Sequence, residues 1–146
     1  MANTKPMVKE FFTLTEIETQ TVGEAFACHL SIGDVLCLEG PIGAGKTQFV
    51  KGLARGLGFP GEVTSPTFAL IHEYEGDYLF LVHCDFFRLE CEVAAEQLGI
   101  NDYFSQAVLA IEWGSRFPAL LPSSTRTILF RILENGGRHI SCLHTI

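Results

Sequence analysis

Residues Gly40 to Thr47 read "GPIGAGKT" and satisfy the spacing G-x-x-x-x-G-K-[ST] in full. Such a loop constrains a fold because it works only between two particular elements. Successive backbone N–H groups in a glycine-rich turn converge on phosphate oxygens, and a helix starting just after the turn adds the positive end of its dipole. The sequence supplies both neighbours. "DVLCLEG" before the loop is a short apolar run ended by glycine, the pattern of a buried strand. After the loop Phe49, Val50, Leu53, Ala54 and Leu57 recur at helical spacing, and Gly58 with Pro60 stops the helix. Within the motif, Gly40, Gly43 and Gly45 permit the dihedrals and the close approach. Lys46 offers a point charge to β- and γ-phosphates, and the Thr47 hydroxyl is placed to ligate Mg²⁺. Pro41, Ile42 and Ala44 complete the candidate nucleotide-binding set. Because Pro41 has no N–H, the cradling falls to the amides of Gly43 to Thr47.

The rest of the chain reads as one α/β domain over residues 1–146, a P-loop NTPase-like sandwich with helices on a mixed central sheet; residues 1–10 are free to be disordered. "TLTEIETQTVGEAFACHL" opens with Thr15 and Glu18 in capping-box spacing, and Ile17, Val22, Ala25, Phe26 and Leu30 share a broad apolar face of the first helix. Two β-rich segments flank Glu75-Gly76-Asp77 as in a hairpin, which makes the sheet mixed rather than all parallel. "EVAAEQLGI" is helical, "AVLAIEW" is a further buried strand, and the end of the chain is a hairpin turning at Asn135-Gly136-Gly137.

Composition narrows the function classes. With 47% hydrophobic and 18% charged residues the chain is neither disordered nor of low complexity. Its longest apolar runs, "YLFLV" and "VLAI", are far below the ~20 residues of a membrane span, and "MANTKPMVKEFF" is unlike a signal peptide, so a soluble cytoplasmic protein is expected. Five cysteines (Cys28, Cys37, Cys84, Cys91 and Cys142), odd in number, widely spaced and mostly in apolar runs, read as buried reduced thiols. A net charge of −7 repels a polyanion, so unassisted binding to nucleic acid is not expected. Lys51 and Arg55, four apart after the loop, read as a solvated helix face.

A triphosphate site needs acidic groups at the ends of neighbouring strands, to hold the metal and to orient an attacking water. Asp85 ends "YLFLVHCD" and Glu112 ends "AVLAIE", each closing a run with no other use for a carboxylate. Lys46, Asp85 and Glu112 are therefore the candidate catalytic residues, with Thr47 and Glu112 the candidate metal ligands. In "TSPTF", the hydroxyls of Thr64, Ser65 and Thr67 around Pro66 are placed to touch a γ-phosphate or to read as a plain turn. His83 shares a strand face with Asp85 but reads first as a core residue, and Trp113 as a packing residue.

In order along the chain, "GPIGAGKT", "SPTF", "HCDFFRL", "LGINDYF" and "IEW" followed by "LLP" resemble the TsaE (YjeE) family of small P-loop ATPases, over roughly Thr13 to Arg138. The family is needed for the threonylcarbamoyl modification of adenosine 37 in tRNAs that read ANN codons. The resemblance implies ATP with Mg²⁺ on Gly40 to Thr47, Thr47 and Glu112 on the metal, Asp85 near the phosphates, and the segment around Thr15 and Glu16 near the adenine. It also implies protein partners, TsaB and TsaD, that carry most of the tRNA contact, with hydrolysis resetting the complex. Phe87 stands where the family often has tyrosine, and Pro41 where it often has an acidic residue.

A low intrinsic rate is expected, since neither Arg88 nor Arg116 is marked as an arginine finger. Rival readings are a nucleotide-gated binding module without essential hydrolysis and a small-molecule kinase, although no arginine-rich lid is readable. A GTPase is disfavoured by the lack of an N-K-x-D segment.

Overall fold

In the computed structural model, which describes residues 6–63, 70–77 and 79–145, the apolar run before the loop forms β2 (Val35–Glu39) and the helix after it forms α2 (Lys46–Gly56). The other strands are β1 (Pro6–Thr13), β3 (Ile71–Glu75), β4 (Phe80–Asp85), β5 (Val108–Glu112), β6 (Arg126–Ile132) and β7 (Arg138–Thr145). The remaining helices are α1 (Glu16–Ala27), α3 (Glu92–Gln97) and α4 (Ile100–Tyr103).

All seven strands join one sheet in the order β1-β7-β6-β2-β5-β4-β3. Its centre is parallel, since β2 pairs in parallel with β5 and β6, and β4 with β5. Its margins are antiparallel: β3 pairs with β4 across the expected hairpin, β6 with β7, and β7 with β1. The mixed sheet expected from the two hairpins is therefore present, with the loop-bearing strand β2 near its middle.

Strand residues alternate between two cores. Leu36, Leu38, Val108 and Ala110 face α1 and α2, while Val35, Leu109 and Ile111 face α3 and α4. Phe11, Phe26, Phe49 and Phe130 form an edge-to-face series through the first core, with centroids 5.9, 5.4 and 5.5 Å apart. Phe49 and Leu53 are fully buried, each contributing about 1.5–3 kcal/mol by removal from water. α1 lies close on α2 because glycine stands at the crossing: a Cβ on Gly52 would meet the Gln20 carbonyl oxygen at 1.8 Å. That tight contact holds α2, and with it the loop, against the N-terminal helix.

Two expectations need correction. α1 is capped as foreseen, Thr15 accepting from the Glu18 amide at 3.1 Å, but Ile17 and Ala25 are exposed. The buried stripe is instead Thr19, Val22, Gly23, Phe26 and Ala27, rotated toward the small residues that permit close packing. Of the N-terminal ten residues, read as free to be disordered, residues 6–10 lie in β1, whose partner β7 lies at the other end of the chain, while residues 1–5 lie outside the described residues. Lys9 and Glu10 break the alternation that would have marked the strand. Among the cysteines, Cys37, Cys84 and Cys142 are buried thiols, whereas Cys28 and Cys91 are exposed.

Candidate nucleotide site

Three carboxylates reach one edge of the sheet because β2, β5 and β4 lie side by side in parallel and end at Glu39, Glu112 and Asp85. Asp85 sits directly opposite Glu112 in the β4–β5 register, and Leu38 opposite Glu112 in the β2–β5 register. The phosphate loop leaves β2 at this same edge, outside the carboxyl ends of the parallel strands, where open α/β sheets bind ligands.

The loop's glycines have distinct causes. Gly40 (φ 150°) passes so close to β6 that a Cβ would meet the Phe130 carbonyl oxygen at 2.5 Å. Gly45 (φ 103°) is the left-handed residue that starts α2. Pro41, Ile42 and Gly43 are exposed and Ala44 is buried. The Ala44 amide donates to the Pro41 carbonyl at 3.2 Å.

Lys46 is nearly buried, and its Nζ donates to the Gly40 carbonyl at 2.6 Å and lies 3.7 Å from Glu112 Oε1. The Trp113 ring covers it, with Nζ 4.7 Å from the ring centroid. Glu112 Oε2 accepts from His83 Nε2 at 2.9 Å, and His83 is fully buried with Nδ1 lacking a partner. Burial pulls the Glu112 carboxyl upward, but the hydrogen bond and charge of His83 and the charge of Lys46 outweigh it, so its pKa lies below the ordinary value. Glu112 thus stays an anion ready for a cation or a metal.

Asp85, half-buried, is pushed the other way. Desolvation and the neighbouring Glu112 charge raise its pKa against the opposing Phe87 amide, Lys46 and His83. Its Oδ1 accepts from the Phe87 amide at 2.8 Å. Arg116 steadies this turn by donating to the Phe86 carbonyl at 3.1 Å and to that of Phe87. Two carboxylates in register whose environments drive their pKa values apart are suited to different tasks, one as a fixed anion and one as a proton acceptor. Glu39 does neither: it accepts from the Ser115 amide at 2.9 Å and the Cys37 thiol at 3.2 Å, and burial and Glu39 push that thiol up to about 12.

A cleft of about 370 Å³ runs between these groups, lined by Lys46, Thr47, Asp85, Phe87, Arg88, Glu112 and Trp113 together with Ile42, Gly43 and Gly45. A second cleft, of about 110 Å³, shares Gly43 and Gly45 and is walled by Thr15, Glu16, Thr19, Gln48 and Arg138. The two meet at the loop, so Glu16 stands on the far side of it from Asp85 and Glu112. Thr64, Ser65, Pro66 and Thr67 lie outside the described residues. Arg55 is exposed, as expected of a solvated helix face, but also donates to Glu24 and Gln20.

Some site residues escaped the sequence reading. Trp113, read as a packing residue, lines the candidate cleft, and His83, buried as its core reading expected, also bonds to Glu112. Alternation carried the signal for His83, which lies diagonal to Glu112 across the β4–β5 pair. Trp113 is the one non-glycine of positive φ (61°) among the described residues, and its sequence gave no sign of that turn. Arg138 and Arg116 bond to backbone carbonyls, which no motif records.

A phosphate loop between a parallel strand and a helix, with acids at the adjoining strand ends, defines the class: this is a P-loop NTPase-like domain. The chain belongs to the TsaE family, whose model, described as threonylcarbamoyl adenosine biosynthesis protein TsaE, matches residues 13–140. It is 40% identical over 130 residues to the tRNA threonylcarbamoyladenosine biosynthesis protein TsaE of Bacillus subtilis, spanning 88% of this chain and 81% of that protein. To the TsaE of Treponema pallidum it is 44% identical over 113 residues, spanning 77% and 83%. The crystal structure of Bacillus subtilis YdiB superposes with a TM-score of 0.77 at 33% identity, covering 98% of this chain and 88% of that one.

Proposed function

We propose that the chain is a Mg²⁺-dependent ATPase of low intrinsic rate that acts in tRNA threonylcarbamoyladenosine biosynthesis, in the cytoplasm, through a complex with TsaB and TsaD. The observation that carries the proposal is the alignment of Asp85 and Glu112 in register beside Lys46, at the edge where the phosphate loop opens. The donor set fits magnesium. Thr47 supplies a hydroxyl and Glu112 and Asp85 supply carboxylates, all hard oxygen ligands. Among the described residues no group of three or more His, Cys, Asp or Glu side chains could hold a metal alone. An ion here would need phosphate oxygens to complete its shell, as Mg²⁺ does at triphosphates.

When bound, the metal would neutralise phosphate charge. The chain's own groups do the rest. The amides of Gly43 to Thr47 and the start of α2 hold phosphate oxygens, and Lys46 moves from the Gly40 carbonyl to the phosphates as a counter-charge. Glu112, fixed by His83, keeps its charge toward Thr47, while Asp85, with its raised pKa, accepts a proton from an attacking water. Glu16 and Thr15 border the space for the base. Arg116 and Arg138 are occupied by carbonyls, and a slow turnover without a partner rests on Arg88, which lines the cleft, not serving as an arginine finger. That same occupancy favours the second reading, a nucleotide-gated binding module in which hydrolysis is incidental. No helix among the described residues is long and apolar enough to cross a membrane.

Single-turnover hydrolysis of Mg-ATP, alone and with the two partners, tests the proposal. Wild type should hydrolyse faster with the partners, and Asp85→Ala and Glu112→Ala should lose that rate. Undiminished rates in both variants would remove the assignment, and multiple rounds of tRNA modification by a non-hydrolysing Glu112→Ala would favour the binding module.

A further inference from the structure

The exposed arch of the phosphate loop is tied to the far end of the chain by one side chain. Arg138, the first residue of β7, donates from Nε and Nη2 to the Gly43 carbonyl at 3.1 and 2.9 Å. Its Nη1 donates to the carbonyls of Gly136 at 2.6 Å and Gly137 at 3.1 Å, so the guanidinium joins the β6–β7 turn to the loop. Its stem lies beside Gly45, where a Cβ would meet Cγ at 4.0 Å.

We infer that Arg138 is a positioning residue that holds the Gly43 carbonyl, and with it the Gly43–Ala44 peptide, from turning into the phosphate space; this rests on the nucleotide-binding reading above. The need for a brace is local. Among the described residues nothing lies within 4 Å of where a Cβ on Gly43 would stand, and Ile42 beside it is 91% exposed, so packing holds this peptide only from its Ala44 side, where the methyl is buried. Left free, a glycine peptide can flip and aim its carbonyl, the negative end, at the phosphate space. The fork of Arg138 takes that carbonyl from one side, and the Pro41 carbonyl takes the Ala44 N–H from the other, so both ends of the peptide are fixed. Order already present in the free protein is not lost on binding, so the brace raises affinity without touching the reacting atoms. A lysine has the charge but lacks the planar fork, which makes the two functions separable.

The experiment compares wild type with Arg138→Lys and Arg138→Ala in two measurements. The first uses no nucleotide: amide hydrogen exchange at Ala44 should be faster in both variants, by roughly tenfold in Arg138→Ala, the factor set by about one lost hydrogen-bond energy. The second is calorimetric titration with Mg-ATP, where Kd should rise roughly tenfold or more in both. Unchanged exchange at Ala44 would overturn the brace. Full recovery of affinity by Arg138→Lys would overturn it as well, since simple attraction of phosphate would then suffice. Failure of wild type to bind Mg-ATP would sink the nucleotide reading, while the exchange measurement still decides the brace.

Discussion

Replacing Glu112 by Gln leaves shape and hydrogen-bonding capacity almost unchanged and removes one charge from a nearly dry site. Lys46 Nζ lies 3.7 Å from Glu112 Oε1, and the two side chains are 6% and 8% exposed. At an effective dielectric constant of about 20 their attraction is about 4 to 5 kcal/mol before desolvation is subtracted. Removing one partner of a buried pair strands the other, at a cost of roughly 3 kcal/mol. With unfolding entropy scaling as about 2 cal/mol/K per residue over 146 residues, that corresponds to a loss of about 10 °C in Tm. The assay is thermal unfolding at pH 7 of wild type, Glu112→Gln, Lys46→Met and the double variant, followed by the coupling energy. The pH dependence has a definite sign. A carboxylate whose folded pKa is depressed stabilises the fold above its unfolded value and ceases to do so as pH falls through the folded one. The difference between wild type and Glu112→Gln should therefore shrink as pH is taken well below 4.5. A Tm within about 2 °C of wild type at pH 7, or a coupling energy near zero, would refute the view that Glu112 is held charged by Lys46 and His83.

Asp85→Asn should act oppositely on stability and on activity. Because burial raises the folded pKa of Asp85, its ionised form costs stability at neutral pH, so Asn should raise Tm while abolishing single-turnover hydrolysis; a lower Tm would contradict the sign. Gly40→Ala places a methyl 2.5 Å from the Phe130 carbonyl oxygen, and should lower stability by about 2 kcal/mol or more and weaken Mg-ATP binding in equilibrium dialysis. The single Trp113, seated over Lys46, should report nucleotide through its fluorescence as the ammonium leaves the ring, with no signal in Lys46→Met. His83→Phe should leave Glu112 without its hydrogen bond, lowering kcat for ATP more than it raises KM.

What the sequence disclosed was mostly what is local. The phosphate loop, the runs that became β2, β4 and β5, and the turn at Glu75-Gly76-Asp77 each carry their cause within a few residues, and with them came Lys46, Thr47, Asp85 and Glu112. β1 stayed hidden because its order comes from pairing with β7 across almost the whole chain. The exposed faces of Ile17 and Ala25 were misjudged because periodicity does not tell which of two apolar stripes a neighbouring glycine-bearing helix will cover. The anchoring by Arg116 and Arg138 was not legible for another reason: their partners are main-chain oxygens, which every residue has.

The central claim is that one edge of the sheet holds a triphosphate on the loop with a magnesium between Thr47 and the two strand-end acids. A crystal structure with Mg²⁺ and a non-hydrolysable ATP analogue tests it most directly. Density for the phosphates within Gly43 to Thr47, a metal on Thr47, Lys46 released from the Gly40 carbonyl, and Asp85 and Glu112 turned toward the ion is the expected result. An empty loop at saturating analogue, or a bound nucleotide with both acids turned away from its metal, would contradict it.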